Sequence, residues 1–320
     1  MLNRSISGGV SPIVRTVENN SGSMSLTEYP VFPGISLVYK NAHMLRCDAV
    51  VPPDHELIQI EHCCEGRYEQ HFGDQYYYLS AGDLSISRSS VSGSEVYFPT
   101  SNYHGISVLI DPDSAPDSLS CILDDVNVRP ADLFNKFCSS GSCFIIRSND
   151  RLEHIFSELY TVPESIRGGY MKLKVLELLL FLNTVSSSDD PVPDKRCSKS
   201  QVKLAKAVCS YVCMNIGTHF TIDQLAEHFG VSPTHLKNSF RSVYGSSVYA
   251  FVRTQKMLAA AHMLQDTDRN ILDIAGECGY DNGSKFSKAF SSVMGVTPSE
   301  FRKNKDISIE SLRLERRNMF

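Results

Sequence analysis

Thr234, His235, Lys237, Asn238 and Arg241 fall on the exposed side of one short helical stretch, Pro233–Val243, and each carries a side-chain hydrogen-bond donor. Lysine and arginine reach guanine edges and phosphates, and asparagine can hold adenine through two bonds. A helix presenting this set has the chemistry to read a DNA major groove. A second set, Asn282, Gly283, Ser284, Lys285 and Lys288, follows in a stretch of the same kind. Catalysis finds no such constellation: there is no nucleophile elbow, no Ser-His-Asp arrangement and no glycine-rich phosphate loop. His55, Glu56, His62, His71 and His104 are the candidate metal ligands, but no His-x-His pair occurs and no paired CxxC spacing exists for zinc. The chain is therefore expected not to be an enzyme and to carry neither metal nor cofactor.

Both sets need a rigid mount. Thr221 is placed to cap a helix whose Leu225, Ala226 and Phe229 form an apolar stripe, Gly230 suits a turn of positive φ, and Val231 plugs the angle that follows. Ser232 then caps a second helix with Pro233 at its first position, while Leu236, Phe240 and Val243 face inward. This is the pattern of a helix-turn-helix. It repeats. Ile274–Ala275 matches Leu225–Ala226, and Gly279–Tyr280 matches Gly230–Val231, at a spacing of 49 residues. Phe286 and Phe290 match Leu236 and Phe240 at a spacing of 50. Between the copies, Ser247–Leu264 has helical period with no Pro or Gly inside, which makes a rod of about 27 Å. Two heads on such a rod suit successive major grooves, about 34 Å apart on one face of DNA.

Charge divides along the same line. Residues 1–194 carry 13 basic and 25 acidic side chains, a net of −12, and residues 195–320 carry 18 and 11, a net of +7, which together give the overall −5. The C-terminal half is suited to a polyanion and the N-terminal half is not. No run of about 18 apolar residues is present for a membrane span. Met1–Met24 is rich in Ser, Asn and Gly and lacks the apolar stretch of a signal peptide, so a cytoplasmic protein with no membrane partner is expected. In that setting the ten cysteines read as thiols rather than disulfides. Both close pairs, Cys63 with Cys64 and Cys209 with Cys213, read as small buried hydrophobes.

The expected organisation is α+β: a flexible arm at 1–28, a β-barrel sensing domain at 29–118, a helical dimerisation segment at 119–186, a linker at 187–200, a DNA-binding domain at 201–305 and a tail at 306–320. Short period-two segments, Glu56–Cys64, Gln75–Leu79, Leu84–Ser87 and Ile106–Ile110, carry the barrel. Helical period then takes over at Asp132–Phe137, Arg151–Tyr160 and Met171–Val185. The last is apolar nearly all round and needs cover on more than one side, which the barrel and the second subunit of a homodimer can supply. Along Leu57–Cys64, the residues Ile58, Ile60 and His62 alternate with Gln59, Glu61 and Cys63. With the first set turned into the barrel, Ile58, Ile60 and the polar handle His62 are candidates for binding a small-molecule effector, as are Tyr76 and Tyr78 of the next strand. The plainer reading makes each an ordinary core side chain.

Asp273–Lys303, DIAGECGYDNGSKFSKAFSSVMGVTPSEFRK, sets an Ile-Ala pair, a Gly-aromatic turn and a Phe-x-x-x-Phe helix before Gly295, Pro298, Phe301 and Arg302. It is similar to the signature of the AraC/XylS family of bacterial regulators, and residues 202–304 as a whole resemble that family's DNA-binding domain. The resemblance implies seven helices, with recognition helices near Pro233–Val243 and Asn282–Met294. It implies base contacts at Thr234, Lys237 and Asn238 and, in the second head, at Gly283, Ser284 and Lys288. Gly283 has no side chain to read a base, which turns the second head toward phosphate contacts through Lys285 and Lys288. It further implies a cupin-like barrel followed by helices that dimerise. A sequence-specific transcription regulator is expected, an activator with double-stranded DNA and RNA polymerase as partners, controlled by an effector or by dimerisation. Two other readings stay open for the barrel: a protein-interaction module without an effector, or a metal-dependent cupin enzyme fused to the DNA-binding domain.

Overall fold

The computed structural model describes residues 12–48, 57–72, 75–89, 95–119, 129–138, 143–186 and 196–303. Residues 1–11 of the expected arm, 187–195 of the expected linker, the tail at 306–320, and the metal candidates His55 and Glu56 lie outside the described residues. The chain forms two compact units, Met1–Ser198 and Lys199–Phe320.

The first unit opens with strands β1 (Ile13–Asn19), β2 (Gly22–Phe32), β3 (Ile35–Met44), β4 (Arg46–Asp48), β5 (Leu57–Phe72), β6 (Gln75–Ser80), β7 (Leu84–Ser89), β8 (Glu95–Tyr97) and β9 (Tyr103–Ile110). It continues with α1 (Pro130–Phe137), β10 (Phe144–Ile146), α2 (Asp150–Ser157), α3 (Arg167–Thr184) and β11 (Cys197–Ser198). All strand pairs are antiparallel, in the order β1-β2-β3-β9-β5-β6-β11, with β7 joining β5 to β10 and β8 joining β4 to β5. The 16-residue β5 holds this together. Its first half pairs with β7 and its second with β6, either side of a bulge between Cys63 and Glu65.

Alternation along these strands feeds two cores. Leu37, Ile58, Ile60, Leu84, Ile86, Ile106 and Val108 pack against Phe137, Phe156 and the α3 residues Met171, Val175, Leu178 and Leu182. Met24, Leu26, Val38, Ala42, Cys63, Tyr68, Leu79, Tyr103 and Ile145 of the strands form a second core with Phe98 and Cys143. Each fully buried Ile or Leu contributes ~1.5–3 kcal/mol relative to exposure, so both faces of the central strands are committed to the fold.

Three expected boundaries shift. Most of the expected arm is the β1–β2 hairpin, paired from Ile13↔Glu28 to Asn19↔Gly22. Backbone bonds make that ladder, and the buried Met24 and Leu26 anchor it, so its polar composition did not prevent pairing. The helical segment is interrupted by β10, which pairs with β7. In the expected linker, Cys197 pairs with Tyr76 and a helix starts at Lys199.

The second unit holds seven helices among the described residues, the number the resemblance implies: α4 (Lys199–Met214), α5 (Ile222–His228), α6 (Pro233–Tyr244), α7 (Val248–Asp266), α8 (Ile271–Glu277), α9 (Gly283–Met294) and α10 (Pro298–Lys303). α4 and α5 pack on α6, while α7 carries a separate core of Met257, Ala260, Ile274, Phe286, Phe290 and Phe301 with α8, α9 and α10. No helix among the described residues is long and apolar enough to cross a membrane.

Candidate nucleic-acid interface

The first head begins with a reciprocal cap. Gln224 N–H donates to Thr221 Oγ1 at 3.2 Å, and Thr221 N–H donates to Gln224 Oε1 at 2.9 Å, satisfying two of the orphan amides of α5. The α5–α6 turn passes through Gly230 at φ +64, and Val231 N–H returns to Ala226 O at 3.0 Å. Ser232 Oγ then accepts from His235 N–H at 3.2 Å, and Pro233 occupies the first turn of α6, where no amide is needed. Leu236, Ser239, Phe240, Val243 and Tyr244 are buried. The opposite side exposes Thr234, His235, Lys237, Asn238 and Arg241, with Pro233 half-buried. From α4, Tyr211 stacks on His228 at 4.3 Å and holds the end of α5.

The second head repeats this construction with different caps. Gly279 has φ +76 and Tyr280 N–H returns to Ala275 O at 2.9 Å, the counterpart of the Val231 bond. Phe286, Phe290 and Phe301 pack in series, tilted and then edge to face, with centroids 5.9 and 5.6 Å apart. Ser284, Lys285 and Lys288 are exposed. Asn282 is also exposed, but its Oδ1 accepts from Ser284 N–H at 2.8 Å and Lys285 N–H at 3.1 Å, making it the cap of α9. Gly283 is half-buried, and a Cβ there would lie 2.6 Å from Leu272 Cδ2. Among the described residues no carboxylate pairs with Lys237, Arg241, Lys285 or Lys288, so all four cations face solvent.

The 19-residue α7 joins the heads and spans about 28 Å. Ser247 caps it, its Oγ accepting from Ala250 N–H at 3.2 Å. Lys256 is buried on α7 beside the second turn, its Nζ 5.9 Å from the Tyr280 ring centroid. Burial pulls the Lys256 ammonium below its usual value, and nearby Cys278 acts in the other direction.

In the first unit the candidate effector residues do not share a site. Ile58 and Ile60 pack toward the helices, where His62 stacks on Phe156 at 4.0 Å. Tyr76 is half-buried with its ring 5.4 Å from His71, and Tyr78 donates to Glu69 Oε2 at 2.5 Å. The strand-lined core instead receives the opposite set of β5. There Glu61, fully buried, accepts from Lys40 Nζ at 2.6 Å, Gln59 Nε2 at 2.9 Å, and the hydroxyls of Tyr103 and Ser107. Burial pushes the Lys40 ammonium down, but Glu61, Tyr68 and the hydrogen bond to Glu61 outweigh it and leave its pKa raised. Burial, then Glu61, pushes the Tyr103 phenol well up. Sequence reasoning missed this network, although the period-two run Gln59, Glu61, Cys63 was its signal. The remaining metal candidates His62, His71 and His104 do not gather: among the described residues no group of three His, Cys, Asp or Glu could hold a metal ion.

Both close cysteine pairs depart from expectation in part: Cys63 is buried but Cys64 is half-buried. Cys209 is half-buried and Cys213 exposed.

Residues 225–304 match the model of a family described as a helix-turn-helix domain. The chain is similar to the HTH-type transcriptional activator AarP of Providencia stuartii, 26% identical over 108 residues that cover 34% of this chain and 80% of that protein. It is similar to the arabinose operon regulatory protein of Salmonella typhimurium, 29% identical over 200 residues, 58% of this chain and 68% of that one. It is also similar to the probable transcription factor PqrA of Proteus vulgaris, 36% identical over 83 residues, 26% of this chain and 68% of that protein.

Proposed function

Because the chain belongs to the AraC/XylS family of helix-turn-helix regulators, we propose that it binds specific DNA sites through α6 and α9 and activates transcription. The observation that carries this reading is the duplicated head: two capped recognition helices with exposed polar and basic faces on one 19-residue helix. In it, Thr234, Lys237 and Asn238 read base edges and His235 and Arg241 flank them. Ser284, Lys285 and Lys288 hold phosphate, with Asn282 and Gly283 shaping the helix start. RNA polymerase is the partner an activator requires, and AarP supports that choice because it is itself named an activator.

The sensing role falls to 29–118, a cupin-like barrel, the dimerisation role to 119–186, and DNA binding to 201–305. Dimerisation is supported by α3, which leaves Leu173 64% exposed and Leu176 and Leu180 half-buried along one line. An effector would shift the population toward one presentation of the two DNA-binding units. The Lys40–Glu61 network favours a second reading of the barrel, a dimerisation module without an effector, because its buried charges already satisfy one another.

Selection of bound duplexes from a random pool by the purified full chain, at about 0.15 M salt, tests the main reading. One enriched block, read by α6, is expected, with α9 as the backbone clamp beside it. A second block about one helical turn away would mean that α9 reads bases as well, and a pool without enrichment would overturn specific recognition.

A further inference from the structure

Leu272 stands in water beside the start of a recognition helix. It is the second residue of α8 and 62% exposed, and its Cδ2 lies 2.6 Å from the place a Cβ would take on Gly283, the first residue of α9. Its backbone is fixed, because Leu272 N–H donates to the capping oxygen of Asn270 at 3.1 Å. The first head has no such group. Ile271–Leu272 repeats Ile222–Asp223 at the same spacing of 49 residues, so an exposed carboxylate holds the corresponding place on α5.

We propose that Leu272 belongs to the DNA interface and packs on the C5 methyl of a thymine where α9 enters the major groove. This rests on the function proposed above and adds to it a contact from α8, outside both recognition helices. In a helix-turn-helix the first residues of the second helix lie against base edges while the helix before it crosses the backbone. At that point α9 itself offers little. The Asn282 oxygen is taken by the Ser284 and Lys285 amides, and Gly283 has no side chain. The side-chain atom over this turn is a leucine methyl. Of the groups that base pairs show in the major groove, the thymine methyl is the apolar one, while the rest donate or accept hydrogen bonds. A donor or acceptor set against Leu272 would lose its water and gain no partner, whereas a methyl loses nothing.

The contact is small. Covering about one methyl group is worth about fourfold in affinity, which biases a single position without making a second block of sequence. It displaces no counterion, so it is independent of salt, unlike the phosphate contacts of Lys285 and Lys288.

The test removes the two methyl-bearing partners separately and together. A series of duplexes keeps the block read by α6 and carries a thymine at each position in turn across the next helical turn. A matched series has deoxyuracil there, which keeps every hydrogen-bonding group and lacks the methyl. The full chain, Leu272→Ala and Leu272→Met are titrated against both. At one position deoxyuracil should weaken the unaltered chain about fourfold. Leu272→Ala should bind both bases alike at that position with its salt slope unchanged, and Leu272→Met should keep the preference for thymine. A thymine preference that survives in Leu272→Ala, or none at any position in the unaltered chain, would overturn the proposal. Loss of affinity in Leu272→Ala with a changed salt slope would also overturn it, because that marks a disturbed phosphate contact. An unaltered chain that binds no duplex at all refutes the DNA-binding reading itself, and the contact with it.

Discussion

Asn282 accepts two backbone amides at the start of α9, and adenine recognition by asparagine needs that same oxygen together with the amide nitrogen. One geometry cannot serve both, so the base reading proposed above falls to α6, where Asn238 is exposed within the helix and its cap is the separate residue Ser232. Replacing Lys237 and Asn238 together by alanine should cost a specific duplex ~1–3 kcal/mol per lost bidentate contact and leave random DNA nearly unaffected. Lys288→Ala should weaken both alike and lower the salt slope by about one. Competition titrations at several salt concentrations measure the two effects, and equal losses from the α6 double variant on both DNAs would contradict its role. The types of these side chains and their helical spacing were legible in the sequence. Which way β5 faces was not. Alternation placed Ile58, Ile60 and His62 on one face, but parity says nothing about which face a helix will cover. Here α2 and α3 took the apolar set, and the strand-lined core received Glu61, neutralised by Lys40.

The helices of the second unit were legible because their ends are chemically marked. Thr221, Ser232, Ser247, Asn270 and Asn282 all cap through their side chains, and the two turn glycines share the left-handed conformation. Those glycines nevertheless differ in surroundings. Around Gly230 a Cβ would meet nothing within 4 Å, whereas at Gly279 it would lie 2.6 Å from Gly217 O and 3.0 Å from Lys256 Nζ. Gly230→Ala should therefore lose only the backbone preference, ~1–2 kcal/mol. Gly279→Ala must also displace the Gly217 backbone and should lose clearly more. Denaturant midpoints of the two variants measure the difference, and equal shifts would refute close packing of that turn. The strands were harder to read. β10 and β11 have three and two residues, too few to show a period, and β1 is largely exposed and held by its ladder with β2.

At the scale of the molecule, charge and assembly divide the work. In the proposed function the net −12 of residues 1–194 would keep that half off DNA, and the net +7 beyond would draw the other half toward it. The proposed dimer would meet along the line through Leu173, which α3 leaves exposed. Wild-type protein should sediment as a dimer. Leu173→Glu should sediment as a monomer that still binds a single site but loses cooperative binding to paired sites, and a dimer unchanged by this substitution would place the interface elsewhere. Within each copy, α7 is more than a spacer. A residue inserted into a helix rotates everything beyond it by about 100° while advancing it only ~1.5 Å. The length of α7 therefore acts as a phase setting between the heads. Exposed side chains along it can be exchanged freely, but a single insertion or deletion would turn α9 away from the groove that α6 selects, so this helix should tolerate drift in spelling and none in count.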